Sequence, residues 1–506
     1  MKLEAIVQAL PPEERALQFG CEHVEPLTCA FPRKRVVHAG LTGRPVPADQ
    51  TQALWRRLMA DAPANREPRS VYIHIPFCQT KCLYCDFFQN AASQAAEDRY
   101  IDCLVQELED AADAPRLQGG PVQAVFIGGG TPTSLSPQNA KRLLQAIGRC
   151  LPLSNDYELT LEGRIHDLVP EKMEVWLANG VNRMSLGVQS FHTHIRRPLG
   201  RLDDRETVLK RLAALKAYQQ CAVVVDLIYG LPEQDMKAWE EDLELLTAAA
   251  VDGMDLYQLN VFEESELNRQ IRAGKLPAAA STARQAQMFA FAHEFLAKRS
   301  FNRLSICHWS RSSRERSLYN TLAKQGGEMF PFGCGAGGNI GGYAAMLHRL
   351  LPPYEQMIGA GQKPFMVLME QSPLQPVVNL VVDQLERGFL ALPSLTGADA
   401  RLAELEWLYD LWAERGLVEY NGAMYRLTVA GQFWQVNLAQ TTVECVEALL
   451  TGRTGLALQR IAAQDGAAAQ HPGMRHTPNG HPSLAAAADG IPTAQRPPGH
   501  PQVQRA

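Results

Sequence analysis

The stretch VYIHIPFCQTKCLYC, Val71 to Cys85, decides the reading of this chain. It opens with Val71–Ile75, a short run of β-branched and aromatic residues of the kind that fills a buried strand. Three cysteines follow directly: Cys78, Cys82 and Cys85. Three residues separate the first two and two residues the second pair. A metal centre held by cysteine alone ordinarily takes four thiolates. The trio is one ligand short, and it stands at the end of a strand.

Working outward, the same rhythm recurs. Apolar runs appear at AVFI (124–127), YELTLE (157–162), RMSLGV (183–188), AVVVDLIY (222–229) and MDLYQLNV (254–261). Such runs fit strands buried on both faces of a parallel sheet. Amphipathic helical segments lie between them, such as EDRYIDCLVQELEDAADA and DRETVLKRLAALKAYQQ. Strand and helix alternate six times, which predicts βαβ units. The expected class is α/β, a partial (β/α)6 TIM-like barrel. FNRLSI, from Phe301, is a candidate seventh strand, and a Gly-rich turn, FGCGAGGNIGG, follows at 332–342. From about Pro353 to Leu450 the pattern turns helical, with a helix pair, a two-strand wing and a last helix. It predicts a small winged-helix-like α+β domain with a lid or packing role. The expected organisation is an N-terminal extension (1–68), the barrel (69–350), the winged-helix-like domain (351–455) and a disordered Ala/Pro/His-rich tail (456–506). That tail carries His471, His476, His481 and His500 and is read as solvated.

The 506 residues are 46% hydrophobic and 20% charged, which suits a globular protein with a large core. A net charge of −5 argues against a nucleic-acid-binding surface. No apolar run reaches membrane-spanning length, and the N-terminus has no signal-peptide stretch. The expectation is a cytoplasmic protein that engages neither membrane nor nucleic acid. Outside the trio the other eight cysteines, Cys334 among them, read as packed thiols in a reducing compartment.

In an α/β barrel the loops after the strand C-termini build the active site. Three thiolates there, on a [4Fe–4S] cluster, would leave one iron open to an amine and a carboxylate. Zinc would need a fourth ligand, and the next cysteine, Cys103, falls on a predicted helix. GGGTP (128–132) ends the second strand, where glycines let the backbone approach a ligand and offer free amide and carbonyl groups. Glu162, Gln189 and Asp226 are polar residues at or near the ends of later apolar strands.

YIHIPFC, CLYCDFF, GGGTPTSLS, LGVQSF, LGR and DLIYGLP occur in this order over roughly residues 70–340. In them the chain resembles the radical S-adenosylmethionine (SAM) enzymes. It is most similar to the branch of oxygen-independent coproporphyrinogen III oxidase and the heme chaperone HemW. The resemblance implies that Cys78, Cys82 and Cys85 hold a [4Fe–4S] cluster. It assigns SAM contacts to Glu162, Gln189, Arg201 and Asp226, beside Gly129, Gly130 and Thr131. Tyr72 and Tyr84 would flank cluster and SAM. Reductive cleavage of SAM to methionine and a 5′-deoxyadenosyl radical would be the implied chemistry.

LEGR (161–164) departs from the proline-containing turn common in both relatives. With DFFQN, DLYQLNVF and HWSRSSRERSLYN (308–320) it resembles the ChuW/HutW group. That group is described as anaerobic heme-degrading radical SAM methyltransferases. The resemblance implies heme as substrate, a second SAM as methyl donor and a flavodoxin-type electron donor, and leaves room for a heme carrier protein. A HemW-like heme chaperone and a coproporphyrinogen oxidase are the alternatives. Arg311, Arg314 and Arg316 could pair with heme propionates or form a structural charge group. His308 could face heme iron, though a structural role is favoured.

Overall fold

The computed structural model describes residues 2–35, 39–63, 67–85, 90, 91 and 93–452. The expected disordered tail and its four histidines lie outside the described residues, as do residues 86–89 of DFFQN.

Six strands follow one another in space as they do in sequence: β1 (Arg69–Ile75), β2 (Val122–Gly129), β3 (Leu153–Arg164), β4 (Arg183–Gln189), β5 (Ala222–Tyr229) and β6 (Gly253–Gln258). All neighbouring pairs are parallel. Residues such as Val71, Ile73, Val125, Leu186, Val225 and Leu227 are fully buried. Each contributes about 1.5–3 kcal/mol by leaving water, which explains the near-continuous apolar runs.

Beyond β6 the sheet changes direction. β7 (His308–Ser310) pairs antiparallel with β6, and β8 (Glu328–Phe332) pairs parallel with β1 on the far side. β9 (Gly337–Ile340), β10 (Tyr343–Leu347) and β11 (Phe365–Glu370) extend from β8 as an antiparallel meander. The seventh parallel strand is therefore β8. FNRLSI instead contributes only Asn302–Arg303, paired antiparallel with β7. β8 was hard to read because Pro331 interrupts it, and proline rarely sits in a strand with two neighbours.

Helices α1 (Gln94–Ala111), α2 (Pro137–Cys150), α3 (Pro170–Ala178), α4 (Arg205–Ala217) and α5 (Met236–Ala248) cross over between successive strands, and α6 (Thr282–Ala297) follows β6. Most start on a side-chain cap that satisfies an otherwise orphaned N–H group. Ser93, Ser136, Asp204, Asp235 and Ser281 accept from the amides of Ala96, Asn139, Thr207, Ala238 and Arg284.

The strand N-termini are stoppered by the segment after β7. Arg183, the first residue of β4, donates to Glu315 at 2.9 and 3.1 Å. His308 stands 3.1 Å from Glu315 and 2.9 Å from Asp255. Burial disfavours charge on His308, but Asp255 and Glu315 outweigh it and lift its pKa to about 9. His308 is thus a structural cation. Short helix α7 (Leu318–Lys324) continues the stopper, its first amides donating to Glu158.

The C-terminal part contains α8 (Gln375–Glu386), α9 (Leu405–Glu414), α10 (Gln435–Thr451) and a three-stranded sheet of Phe389–Leu390, Tyr425–Leu427 and Val418–Tyr420. The N-terminal segment is clasped here. Trp412 Nε1 donates to the Phe19 carbonyl at 2.9 Å, Trp434 Nε1 to that of Leu27 at 3.0 Å and Asn437 Nδ2 to that of Arg33 at 3.0 Å. One continuous apolar core joins these parts to the barrel. No helix among the described residues is long and apolar enough to cross a membrane.

Candidate functional site

The loop after β1 brings the cysteine trio over the C-terminal ends of the strands. Cys78 and Cys82 are 3% and 1% exposed, and Cys85 is half-buried. None is in a disulfide. Burial, more than any other influence, raises the Cys78 thiol, while a hydrogen bond from Thr131 Oγ1 at 3.3 Å pulls it down. Among the described residues no three His, Cys, Asp or Glu side chains stand close enough to hold a single metal ion.

The loop is fixed from several sides. Leu83 N–H donates to the Leu199 carbonyl at 3.2 Å, and the Leu83 carbonyl accepts from Leu267 N–H at 3.0 Å. Leu83 and Tyr84 also pack on a second, small apolar cluster that includes Ile195, Leu199, Ile228, Leu231, Leu259 and Leu267. Gly200, at φ 88°, passes under the loop; a Cβ there would lie 2.8 Å from the Lys81 carbonyl. Its left-handed backbone and the close approach both require glycine.

Thr131 and the GGG run lie next to β1. Gly129 N–H donates to Glu162 Oε2 at 3.2 Å. The amides of Gly130 and Thr131 donate to Ile75 and Phe77 carbonyls, each at 2.7 Å. This corrects the expectation of free amides: all three donors are used within the protein. What the glycines provide is approach, since a Cβ at Gly130 would stand 2.4 Å from the Phe77 oxygen.

Glu162 at the end of β3 and Asp226 on β5 face the interior. Burial pushes Glu162 up to about 7, against the pull of the Gly129 amide, Arg201 and Arg164. Burial and then the charges of Asp255 and Glu162 push Asp226 up to about 8. Ser185 Oγ donates to Asp226 Oδ1 at 3.2 Å. Near pH 7 Asp226 is therefore mostly neutral, while Glu162 stands at the midpoint of its titration. Gln189, at φ 73°, is 8% exposed, and its Oε1 finds no hydrogen-bond partner. Arg201 Nε donates to the Tyr84 hydroxyl at 2.9 Å and its Nη1 to the Gly187 carbonyl at 3.2 Å. Burial opposes its charge, but Tyr84 and the Cys82 and Cys85 thiols outweigh it, so its pKa is raised. Tyr72 lies deeper, stacked on Phe126 and Tyr319 with its hydroxyl 3.0 Å from His74 Nδ1.

A pocket of about 430 Å³, counting its open mouth, opens beside the cysteine loop, and of the expected SAM contacts Thr131 and Arg201 line it. Thr80, Thr131, Arg164, Gly187, Gly200 and Arg201 are among its lining residues. Sequence reasoning missed Thr80 and Arg164 as side chains of this pocket, although LEGR was singled out. An arginine ending a buried strand was the available signal.

Arg311, Arg314 and Arg316 are not brought to this site. They lie at the stoppered end, where Arg311 donates to Thr247, Arg314 to Cys221 and Arg316 to Asp156. Their partners match the structural charge group that was the other expectation for them. Cys334 is fully buried, and burial raises its thiol to about 12, so it is a packed thiol.

The arrangement fits a cluster with an adenosyl cosubstrate. The trio offers three thiols outside any disulfide, the pocket opens beside their loop, and Gln189 presents a buried acceptor without a partner among the described residues. The Radical SAM superfamily model matches residues 72–246. The chain is 35% identical to anaerobilin synthase of Escherichia coli O157:H7 over 406 residues, 80% of this chain and 90% of that protein. It is 32% identical to the heme chaperone HemW of Lactococcus lactis subsp. lactis over 279 residues, 55% of this chain and 71% of that one. Among solved structures, the coproporphyrinogen III oxidase HemN of Escherichia coli superposes with a TM-score of 0.69 at 22% identity, covering 79% of this chain and 96% of that one. The chain belongs to the radical SAM superfamily, in the branch of oxygen-independent coproporphyrinogen III oxidase and HemW, near the anaerobic heme-degrading enzymes.

Proposed function

We propose that this protein degrades heme without oxygen, by radical SAM-dependent methyl transfer to heme with opening of the tetrapyrrole ring and release of iron. The observation that carries the reading is the 35% identity to anaerobilin synthase, which runs over 90% of that protein. The same reading takes heme as substrate, two SAM molecules, a flavodoxin-type donor, a heme carrier and a cytoplasmic setting. It keeps the division into extension, barrel, winged-helix-like domain and tail.

Cys78, Cys82 and Cys85 would hold the [4Fe–4S] cluster, and Gly129, Gly130, Thr131, Glu162, Gln189, Arg201 and Asp226 would hold SAM, with Tyr72 and Tyr84 at its flanks. When bound, this pair supplies the reductive cleavage that opens radical chemistry. The chain's own part is positioning. The Arg201 guanidinium, fixed by Tyr84 and Gly187, offers a charged donor to a carboxylate. Gln189 Oε1 offers an acceptor to a donor group. Glu162 and Asp226 can accept from hydroxyl or ammonium donors once they lose their protons. The stack of Tyr72, Phe126 and Tyr319 fills the lumen below and keeps water out.

The test is an anaerobic incubation of reconstituted protein with heme, SAM and a flavodoxin-type reductant. Loss of heme absorbance with iron release and a methylated linear product is expected. Heme that stays bound and intact would instead support a HemW-like chaperone, a reading favoured by the 32% identity to HemW. Decarboxylation of coproporphyrinogen would support the oxidase alternative.

A further inference from the structure

The end of β3 carries a cation, Arg164, that has no carboxylate within ion-pair distance among the described residues. The backbone there is locked to the GGGTPTS turn. A Cβ at Gly163 would lie 2.2 Å from Thr133 Cγ2 and 2.4 Å from its Oγ1, so glycine is what lets that threonine close. The Thr133 hydroxyl donates to Asp167 Oδ2 at 2.9 Å and accepts from Arg164 N–H at 3.1 Å. Lys172 Nζ donates to the Thr133 carbonyl at 2.9 Å. Turn and strand end are one unit, and it holds Arg164 by its backbone.

From this fixed base the Arg164 side chain crosses to the cysteine loop, where Nη1 donates to Thr80 Oγ1 at 2.7 Å. Thr80 lies between Cys78 and Cys82, and both Thr80 and Arg164 line the pocket. Of the acids nearby, Asp203 pairs with Arg211 at 2.9 Å, Asp167 takes Thr133 and stands 3.8 Å from Lys172, and Glu162, which feels the Arg164 charge, takes the Gly129 amide and stands outside ion-pair distance. Arg183 has Glu315. Among the described residues Arg164, like Arg201 across the pocket, has a neutral hydroxyl as its partner and no carboxylate in ion-pair distance. A guanidinium carries five N–H donors in a planar fork that fits a carboxylate with two parallel hydrogen bonds.

We propose that Arg164, braced by Thr80, is a carboxylate seat in this pocket. Two carboxylates belong to the reaction proposed above, the amino-acid end of SAM and the heme propionates, and only the second source rests on the heme reading.

The test measures binding to the reconstituted wild type and Arg164→Gln. Four ligands are titrated: SAM, decarboxylated SAM, heme and heme dimethyl ester. Circular dichroism and iron–sulfur absorbance report whether the variant is intact; Arg164→Lys, which keeps the charge without the fork, replaces it where it is not. An Arg164→Gln loss of about 10- to 100-fold is expected for one carboxylate ligand, with little change for its partner lacking the carboxylate. Loss for SAM but not decarboxylated SAM assigns the seat to the amino acid. Loss for heme but not its ester assigns it to a propionate. Equal binding of all four, or equal loss with and without the carboxylate, overturns the proposal. A wild type that does not bind heme removes the heme reading, and the SAM pair still decides the seat.

Discussion

Asp226→Asn tests whether the lumen stores a neutral acid. Asp226 lies opposite Asp255 on the neighbouring strand and near Glu162, with its carboxyl raised to about 8 chiefly by burial. In the unfolded chain the same group has an ordinary value near 4. A carboxyl raised by folding keeps its proton in the native state after the unfolded state has lost it. Stability from this group is therefore greatest below about pH 4, falls as pH rises toward 8, and is level above that. The full rise bounds the effect at about 6 kcal/mol. Asp255 and Glu162 share the proton chemistry, so about half, ~3 kcal/mol, is the working magnitude. Asparagine keeps the shape and cannot ionise. Urea unfolding followed by circular dichroism from pH 5 to pH 9 should show the variant gaining about 2–3 kcal/mol on the wild type. Stability curves that stay parallel within about 0.5 kcal/mol would refute a buried neutral acid. If Asp226 contacts SAM as proposed, the wild type should gain SAM affinity as pH passes through 8 and Asp226→Asn should remove that rise.

Cys82→Ala should abolish iron–sulfur absorbance and SAM cleavage together; cleavage that survives would contradict the ligand assignment. Gly163→Ala should cost about 1–3 kcal/mol in urea unfolding through its collision with Thr133. Adding Thr133→Ala should recover part of that, and a double variant no better than the sum of the singles would argue against the lock. Glu315→Gln should cost about 3–5 kcal/mol, because it leaves the buried Arg183 guanidinium without its anion; a loss under about 1 kcal/mol in urea unfolding would show that the stopper is not built on charge.

The six parallel strands were legible because burial on both faces leaves a plain apolar signal, as in AVVVDLIY, which is the strand from its first residue to its last. β8 was not legible. EMFPF carries a glutamate and a proline, and its place beside β1 depends on Glu328 meeting Arg69 and Arg116, a pairing that no local pattern announces. The cysteine trio could be read because its members are close in sequence. Arg164 and Thr80 are 84 residues apart, so only the fold puts them together. The arginines after His308 misled for the opposite reason. Their density suggested an anion site, but β7 runs antiparallel and carries them to the stoppered end.

The two ends of the barrel treat their buried polar groups differently, and the difference is informative. At the stoppered end the buried cations meet carboxylates: Arg183 has Glu315, and His308 has Glu315 and Asp255. Toward the cysteine end, among the described residues, Gln189 Oε1 has no partner and Arg164 has no carboxylate within ion-pair distance, while burial raises Glu162 to about 7 and Asp226, in mid-strand, to about 8. Leaving polar groups unmatched costs about 1–3 kcal/mol each. A chain able to pair its charges at one end could have done so at the other. Of these groups Arg164 lines the pocket beside the thiols, and together they ask for an anion, a hydrogen-bond donor and a cation. A zwitterionic sulfonium amino acid carries all three, so the missing partners are those the cosubstrate would bring.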